Sequence, residues 1–243
     1  MQFANIVWQE NKGTKNSTGL PYSLDFNDVY FNTDDGLKET EYVFITHNQL
    51  QQRFSNANLS NFAIIETGFG TGLNFLAVSA LWLQFAPKNA SLHYIGIEKM
   101  PLSLADLMRA QLLWPLFTKV SHDLIAQYSV LKIGHNDFSI AAGRIQLELQ
   151  IDDIALTLPQ LSTIADAWLL DGFAPAKNAA MWSNEVFAHM ARLSKPNTTL
   201  ATFTSASSVR RGLQAAGFKV TKHKGFGKKR EMLSGQMTSR CDD

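Results

Sequence analysis

Three alternating glycines directly after an acid are the feature of this sequence best suited to bind a ligand. Glu66 ends a short apolar run that begins at Phe62, and a long apolar helical pattern follows. The glycines between them are Gly68, Gly70 and Gly72. Glycine allows positive φ and lets a ligand approach the backbone where a Cβ would collide. The following helix would point its unpaired N–H groups at the same place. The segment therefore predicts a strand, a tight turn and a helix, the first βα unit of a nucleotide-binding sheet.

The ligand of this turn is predicted to be cationic and to carry no phosphate. A dinucleotide fingerprint reads G-x-G-x-x-G/A, and Leu73 occupies its last position here. Glu66 would lie beside a pyrophosphate, and like charges repel. S-adenosylmethionine (SAM) carries an ammonium and a sulfonium, and E-x-G-x-G-x-G is the pattern seen in class I SAM-dependent methyltransferases. We predict SAM as the cofactor, with a plain tight turn as the alternative. The predicted contacts are Glu66, Gly68, Phe69, Gly70 and Gly72.

Further polar residues follow at the predicted strand ends, where ligands of open α/β sheets bind. Glu98 lies 26 residues beyond Gly72, near the position where an acid accepts both ribose hydroxyls, although a surface charge is its alternative. Asp153 is predicted to accept from the adenine amino group, a role that Asp152 could fill instead. Asn74, one turn into the helix, would orient the methionine end of SAM or make a polar contact at the helix start.

The segment Asp171-Gly-Phe-Ala-Pro-Ala-Lys-Asn178 is predicted to carry the chemistry. Amine-directed nucleic-acid methyltransferases place an Asp or Asn, prolines and an aromatic residue at this strand end. Asp171, with a reference pKa of about 3.9, would be a weak base. It could still hold an ammonium, orient the free amine and help relay the leaving proton. Phe173 would stack on a base and Lys177 would contact RNA; a sharp structural loop is the alternative.

The number and position of cysteines limit which kind of atom can accept the methyl group. Methylation of C5 of a pyrimidine needs a covalent nucleophile, normally Cys. The single cysteine, Cys241, lies close to the end of the sequence and far from every motif. We therefore predict a nitrogen or oxygen acceptor, no Cys-cluster metal site and no other metal site.

A basic segment near the end suits contact with RNA. It runs from His223 to Arg230 and interleaves lysines with glycines and Phe226, and an arginine pair precedes it on a predicted helix. Such a pattern fits phosphate contacts and base stacking, although a solvated loop is the alternative. The predicted RNA contacts here are Arg210, Lys228, Lys229 and Arg230.

Composition and length allow one large domain, or one domain with an appendage. The 243 residues are 45% hydrophobic and include 16 Phe and 5 Trp, which excludes disorder as the main state. The net charge of +1 indicates no partner class. The sequence has no signal-peptide pattern and no run near the ~20 apolar residues of a membrane span, so we expect a cytoplasmic protein.

The order of elements predicts an N-terminal appendage over 1–60 and a methyltransferase domain over 61–243. In the appendage we expect a hairpin, with strands near Ile6 and Pro21, and then two helices, with Asn48 as a candidate cap of the second. From Phe62 onward strands and helices alternate, which is typical of a doubly wound α/β sheet. The predicted strands cover 62–66, 92–98, 144–151, 166–171 and 199–204, and Pro101 is expected in the first turn of a helix. The strands at 218–223 and 231–236 form an antiparallel hairpin, the closing feature of a class I SAM-dependent methyltransferase (Rossmann-like) sheet.

Four segments together make the sequence resemble the methyltransferase domain of the MnmC family. They are Asp25-Phe-Asn-Asp-Val-Tyr-Phe31, Gly68-Phe-Gly-Thr-Gly-Leu-Asn-Phe75, Asp171-Gly-Phe-Ala-Pro-Ala-Lys-Asn178 and Lys224-Gly-Phe-Gly-Lys-Lys-Arg-Glu-Met232. The resemblance covers essentially the whole chain. It implies methyl transfer from SAM to the primary amine of 5-aminomethyl-2-thiouridine at the tRNA wobble position, giving 5-methylaminomethyl-2-thiouridine. The alternatives are a class I methyltransferase acting on another amine and a non-catalytic SAM- or RNA-binding module.

One departure from the family concerns the oxidase. Many members continue into a flavin-dependent oxidase domain that makes the aminomethyl substrate. This sequence ends at Asp243 with no second glycine-rich fingerprint. The expected partners are therefore tRNA and an oxidase domain or protein, and the chain is expected to be a stand-alone methyltransferase or the excised half of a bifunctional protein.

Overall fold

The computed structural model describes residues 1–9, 19–32 and 35–238. In these ranges the strands are β1 (Ile6–Gln9), β2 (Leu20–Ser23), β3 (Asp28–Val29), β4 (Asn61–Thr67), β5 (Ser91–Glu98), β6 (Gly134–Ile140), β7 (Ile145–Ile151), β8 (Ala165–Leu170), β9 (Ser194–Thr202), β10 (Phe218–Lys224) and β11 (Glu231–Met237). The α-helices are α1 (Gly36–Thr40), α2 (Leu50–Phe54), α3 (Leu73–Phe85), α4 (Leu104–Gln111), α5 (Thr118–Tyr128), α6 (Ile154–Thr157), α7 (Asn184–Arg192) and α8 (Ser207–Ala215). A π-helix, Glu41–Thr46, continues α1. Cys241 and most of the polar loop predicted at 11–19 lie outside the described residues.

The large sheet has the order β10-β11-β9-β8-β4-β5-β7-β6. Strands β7, β5, β4, β8 and β9 are parallel, and β11 runs antiparallel to both β9 and β10. The predicted fold class, a mostly parallel sheet with an antiparallel last strand, is confirmed. This order brings the carboxyl ends of β4, β5, β7 and β8 side by side, so the residues that follow them share one edge.

Strand β6 was not predicted. It pairs antiparallel with β7 along its whole length and forms the sheet edge. Its alternate residues Asn136, Phe138 and Ile140 are buried, which is a strand pattern. Asn136 hides that pattern in the sequence because it is polar, but its amide donates to three backbone carbonyls, including that of Leu149.

The core lies on both faces of the sheet and includes N-terminal residues. One face packs against α2, α3 and α5, and the other against α7 and α8. Phe54 of α2 makes edge contacts with Phe62 and Trp82, with ring centroids 5.1 and 4.9 Å apart. Helix α3 is buried on most of its surface because this N-terminal helix covers it. The division at residue 60 stays a prediction.

The N-terminal segment forms a three-stranded antiparallel sheet followed by helices. The predicted hairpin is confirmed as β1 and β2, and β3 adds a short third strand. The prediction that Asn48 caps a helix is wrong: its side chain is fully buried, and its amide donates to the carbonyls of Phe44 and Trp168 at 3.0 and 3.3 Å. The hydrogen bond from Asn48 to Trp168 connects the N-terminal segment to the central strand β8.

Helix α4 begins later than Pro101, because Ser103 takes the capping position. The Ser103 hydroxyl accepts from the Asp106 N–H at 3.1 Å. Among the described residues, no helix has the length and apolarity needed to cross a membrane.

Candidate active site

A cavity of about 520 Å³ opens at the carboxyl ends of β4, β5, β7 and β8. Its floor is the glycine turn and the residues that follow these strands, and its roof comes from the N-terminal segment and the β10–β11 hairpin. The predicted site residues that line it are Gly68, Phe69, Gly70, Asn74, Glu98, Asp153, Asp171, Phe173 and Lys229. Glu66, Gly72, Lys177, Arg210, Lys228 and Arg230 are not part of its lining.

The glycine turn leaves no room for side chains. Gly68 has φ +82°, and a Cβ there would lie 3.0 Å from the Asp171 carbonyl oxygen and from the Gly172 Cα. Gly70 has φ +53°, and its Cβ would lie 3.3 Å from the Tyr30 ring. Gly72, with φ +74°, occupies the position before α3. Gly68 thus allows the β4 and β8 loops to touch, while Gly70 borders the cavity.

Glu98 joins the glycine turn to the end of β5. Its two oxygens accept from the Gly70 N–H and the Met100 N–H, each at 2.9 Å. Burial raises the pKa of Glu98 despite these bonds. Each carboxylate oxygen has a second lone pair, so Glu98 can still accept hydroxyl groups from a ligand in the cavity.

The two acids after β7 differ in their partners. Asp153 bonds the Lys99 ammonium at 2.8 Å and caps α6 by accepting from the Ala155 N–H at 2.9 Å. Lys99 is the main reason that the pKa of Asp153 is lowered. Asp152 accepts from the Asp153 N–H through only one oxygen. Both acids line the cavity, and the assignment of adenine to Asp153 stays a prediction.

At the centre of the site, Asn74 bridges two acids. Its amide nitrogen lies 2.7 Å from Glu66 Oε1 and 2.7 Å from Asp171 Oδ2. Thr40 donates to Asn74 Oδ1 at 2.8 Å, which turns the amide nitrogen toward the acids. Tyr94 donates to the other Glu66 oxygen at 2.8 Å.

Of the two acids bridged by Asn74, Glu66 is buried, whereas Asp171 is partly exposed to the cavity. Glu66 is 1% exposed and lies behind the cavity wall; burial, followed by the charge of Asp171, raises its pKa well above the ordinary value. Direct contact between Glu66 and SAM stays a prediction, since Asn74 stands between Glu66 and the cavity.

Asp171 is a better base than its reference pKa suggests. It lines the cavity, and burial raises its pKa to about 7, against hydrogen bonds from Gly172 and Asn74 that favour the charged form. A carboxylate that titrates near neutral pH is suited to proton transfer. The expectation of a weak base rested on an exposed reference group, and burial removes that premise.

Aromatic side chains line the cavity beside the glycine turn and the loop that follows β8. Phe26 stacks on Phe173 with centroids 4.4 Å apart, and Tyr30 meets Phe173 edge-on at 5.3 Å. Lys177 fastens this loop to the N-terminal segment through Asp28 at 3.2 Å, and it also donates to the Asn27 carbonyl. Stacking of a base on Phe173 and contact of Lys177 with RNA stay predictions.

The predicted RNA contacts near the end of the sequence lie in three different environments. Lys229 points into the cavity, where it pairs with Glu39 at 2.8 Å. Lys228 and Arg230 are exposed and form no ion pair among the described residues. Arg210 lies on α8, where its Nε is buried without a hydrogen bond in the described part of the chain.

Several residues of the site were not predicted. Thr40, Glu39, Phe26, Tyr30 and Tyr94 all contact predicted site residues or line the cavity. The signal in the sequence was the segment Asp25-Phe-Asn-Asp-Val-Tyr-Phe31, which contributes to the family resemblance and contains Phe26 and Tyr30.

The cavity suits a cationic ligand without phosphate. Its acids outnumber its bases: Asp28, Glu39, Glu98, Asp152, Asp153 and Asp171 against Lys99 and Lys229. An anionic pyrophosphate would meet this excess of negative charge. The acids and the space beside Gly70 fit SAM, with Glu98 available to the ribose hydroxyls. Contact of Asn74 with the methionine end stays a prediction, because both donors of its amide already bond the two acids.

Comparison with known proteins agrees with this fit. Residues 115–238 match a family described as S-adenosyl-L-methionine-dependent methyltransferase. The chain is 49% identical over 235 residues to the tRNA 5-methylaminomethyl-2-thiouridine biosynthesis bifunctional protein MnmC of Methylobacillus flagellatus, covering 97% of this chain and 35% of that protein. It is 50% identical over 228 residues to the protein of the same name from Aeromonas salmonicida, covering 91% and 34%. The chain thus spans about a third of the length of these relatives.

Among solved structures, the fold resembles the crystal structure of MNMC2 from Aquifex aeolicus. The TM-score is 0.70 at 18% identity, over 98% of this chain and 72% of that one. This likeness supports the class I fold.

Proposed function

The chain belongs to the family of S-adenosyl-L-methionine-dependent methyltransferases, and we propose that it methylates the primary amine of 5-aminomethyl-2-thiouridine at the wobble position of tRNA. The product is 5-methylaminomethyl-2-thiouridine. The observation that carries this proposal is Asp171: a cavity-lining carboxylate held by Asn74 beside the SAM-binding turn, with a pKa of about 7. The name of the relatives, which are 49% and 50% identical to this chain over most of its length, supports the same substrate.

In the proposed complex, one end of the cavity binds SAM and the other end binds the modified base. When bound, SAM supplies an electrophilic methyl group on a sulfonium. Glu98 holds the ribose end, and the turn at Gly70 leaves space for the ligand against the backbone. Phe173 and Tyr30 form the aromatic wall on the acceptor side, where the modified base stacks.

Asp171 prepares the amine. An alkylamine is largely an ammonium at neutral pH and attacks only as the free base. The Asp171 carboxylate binds that ammonium, accepts its proton and releases the proton to water, which restores the carboxylate and leaves the free amine with its lone pair aligned with the methyl group. The ionised carboxylate then faces the positive charge that grows on nitrogen in the transition state. Asn74 holds the Asp171 oxygen in place throughout.

We further propose that a flavin-dependent oxidase, as a domain of the same protein or a separate one, supplies the aminomethyl group. The relatives from Methylobacillus flagellatus and Aeromonas salmonicida are named bifunctional proteins, which supports a second activity in those proteins. We place the reaction in the cytoplasm, where tRNA is modified.

Methyl transfer to bulk tRNA tests the proposal. The protein and methyl-labelled SAM are incubated with tRNA from a strain that lacks this methyl group, and with tRNA from its parent. Label should enter only the first. Label on another amine would identify a different acceptor, and SAM binding without label on any tRNA would indicate a non-catalytic module.

Gly70→Val should abolish SAM binding while the protein stays folded. The branched side chain would enter the cavity beside Tyr30 and would also strain a backbone with φ +53°. Calorimetry measures SAM affinity. Gly143→Val is the matched control, because Gly143 also has positive φ, at +83°, but lies far from the cavity in the β6–β7 turn. Equal loss of SAM affinity in both variants would mean that strain, and not the cavity, explains the effect.

Replacing Lys228 and Arg230 with Ala should weaken tRNA binding and flatten its salt dependence. Each lost phosphate contact should reduce the slope of log K against log salt by about 1. SAM affinity should stay the same. Lys88→Ala is the control, since this exposed lysine precedes β5 at the opposite end of the sheet. Unchanged tRNA affinity in the double variant would show that this loop is only a solvated face.

A further inference from the structure

Glu39 and Lys229 form a charged pair in the cavity that the mechanism above does not use. The Lys229 ammonium lies 2.8 Å from Glu39 Oε1 and 4.3 Å from the centroid of the Phe203 ring. Glu39 is only 8% exposed. Both residues line the same cavity as Asp171, one from α1 and the other from the β10–β11 loop.

The loop geometry separates Lys229 from its basic neighbours. Gly225 donates to the Arg230 carbonyl at 3.1 Å, and the Lys229 N–H donates to the Phe226 carbonyl at 3.1 Å. A Cβ at Gly225 would collide with the Lys229 backbone, so this tight turn requires glycine. Within this turn the Lys229 ammonium reaches Glu39 and the cavity although its side chain is 41% exposed, whereas Lys228 does not line the cavity.

The pair presents a donor beside an acceptor. An ammonium has three N–H donors, and Glu39 takes one of them. Glu39 Oε2 has no hydrogen bond among the described residues. The Glu39 side chain is only 10% exposed, and a buried carboxylate is costly unless its lone pairs are satisfied, whereas the Lys229 side chain is 41% exposed. A ligand in the cavity can bond the second Glu39 oxygen and the remaining ammonium donors.

We infer that this pair recognises the base that carries the amine, which rests on the proposed function. Lys229 donates to a ring carbonyl oxygen, and Glu39 fixes the ammonium and accepts from the adjacent ring N–H. A uracil-type base offers that combination of a carbonyl beside a ring N–H. Lys229 and Glu39 are thus both substrate-binding residues of the acceptor pocket, and Glu39 in addition positions the Lys229 ammonium.

Lys229→Ala compared with Lys228→Ala tests this assignment, because the two variants remove the same charge from adjacent positions. With tRNA carrying the aminomethyl group, Lys229→Ala should lower kcat about 10- to 100-fold at saturating tRNA and leave the salt slope of tRNA binding unchanged. The Lys228→Ala defect should fall on KM and on the salt slope. A Lys229→Ala enzyme with normal kcat and a flattened salt slope would overturn the inference and place Lys229 on the RNA backbone.

A charge-swap variant distinguishes recognition of the base from a purely structural ion pair between the hairpin and α1. Glu39→Lys combined with Lys229→Glu rebuilds the ion pair in the opposite direction. We expect the pair to recover part of the Tm lost in either single variant while kcat stays low. Recovery of kcat together with Tm would show that the pair only holds the hairpin to α1. If the swapped protein fails to fold, the Lys229→Ala and Lys228→Ala comparison decides. A wild-type enzyme that transfers no methyl to this tRNA would contradict the proposed function itself.

Discussion

Asp171→Ala is expected to lower turnover about 30- to 1000-fold at neutral pH while tRNA affinity changes little. The substitution removes the carboxylate that holds the amine and faces the positive charge of the transition state, an electrostatic contribution of about 2–4 kcal/mol. Single-turnover rates at saturating SAM and tRNA measure the effect. Asp171→Asn keeps an acceptor oxygen and should be less impaired than the Ala variant. Near-normal turnover in Asp171→Ala would remove this residue from the mechanism.

The pH dependence of these enzymes follows from the raised pKa of Asp171. Because that pKa is about 7, the group is mostly protonated below pH 7 and mostly ionised above it. If the carboxylate is the active form, the wild-type rate should rise through about pH 7. Asp171→Asn lacks this titration, but raising the pH should partly rescue it because more of the amine is then unprotonated. The same wild-type inflection in both enzymes would assign it to another group.

Asn74→Asp is expected to lower turnover by roughly 100-fold or more, because it replaces the donor between two acids with a third acid. Glu66 and Asp171 would each lose a 2.7 Å hydrogen bond from the amide. They would gain a like charge, which raises carboxyl pKa values further. A carboxyl whose folded-state pKa is raised binds more protons folded than unfolded, so this variant should lose stability as pH rises.

Asn136→Asp is the matched control for Asn74→Asp. Asn136 is also buried, at 7% exposed, and its amide also makes several hydrogen bonds, but it lies in β6 away from the cavity. Its substitution should lower Tm without lowering the turnover of the folded enzyme. Equal losses of turnover in the two variants, both at saturating SAM, would contradict a specific role for Asn74.

The parts of the site that the sequence predicted are those fixed by local chemistry. A glycine turn after a strand has few conformations, and parallel strands place their carboxyl ends at one edge, so Glu98 and Asp171 could be expected near Gly70. The prediction of the class I sheet rested on the same regularity. Strand β6 was not predicted because Asn136, a buried polar residue, interrupts its apolar alternation.

The remaining site residues depend on contacts between distant segments. Thr40 orients Asn74 across 34 positions, and Glu39 meets Lys229 across 190. Composition cannot tell Lys229 from Lys228; the folded β10–β11 turn decides that Lys229 reaches the cavity and Glu39.

The burial of Glu66 and Asp171 could not be predicted from the sequence either. Alternation along β4 does not reveal that Glu66 lies behind Asn74. The pKa of Asp171 depends on burial, which becomes visible only once the N-terminal segment is packed over the sheet.

Nucleoside analysis of the reaction product tests the central claim most directly. tRNA carrying 5-aminomethyl-2-thiouridine is incubated with the protein and SAM, digested to nucleosides and analysed by mass spectrometry with fragmentation. The structure and the proposed role of Asp171 predict that this nucleoside is replaced by 5-methylaminomethyl-2-thiouridine, with the new methyl on the amine nitrogen, and that Asp171→Ala makes little of it. An unchanged wobble nucleoside, or a methyl group on a ring atom or a ribose, would contradict the account.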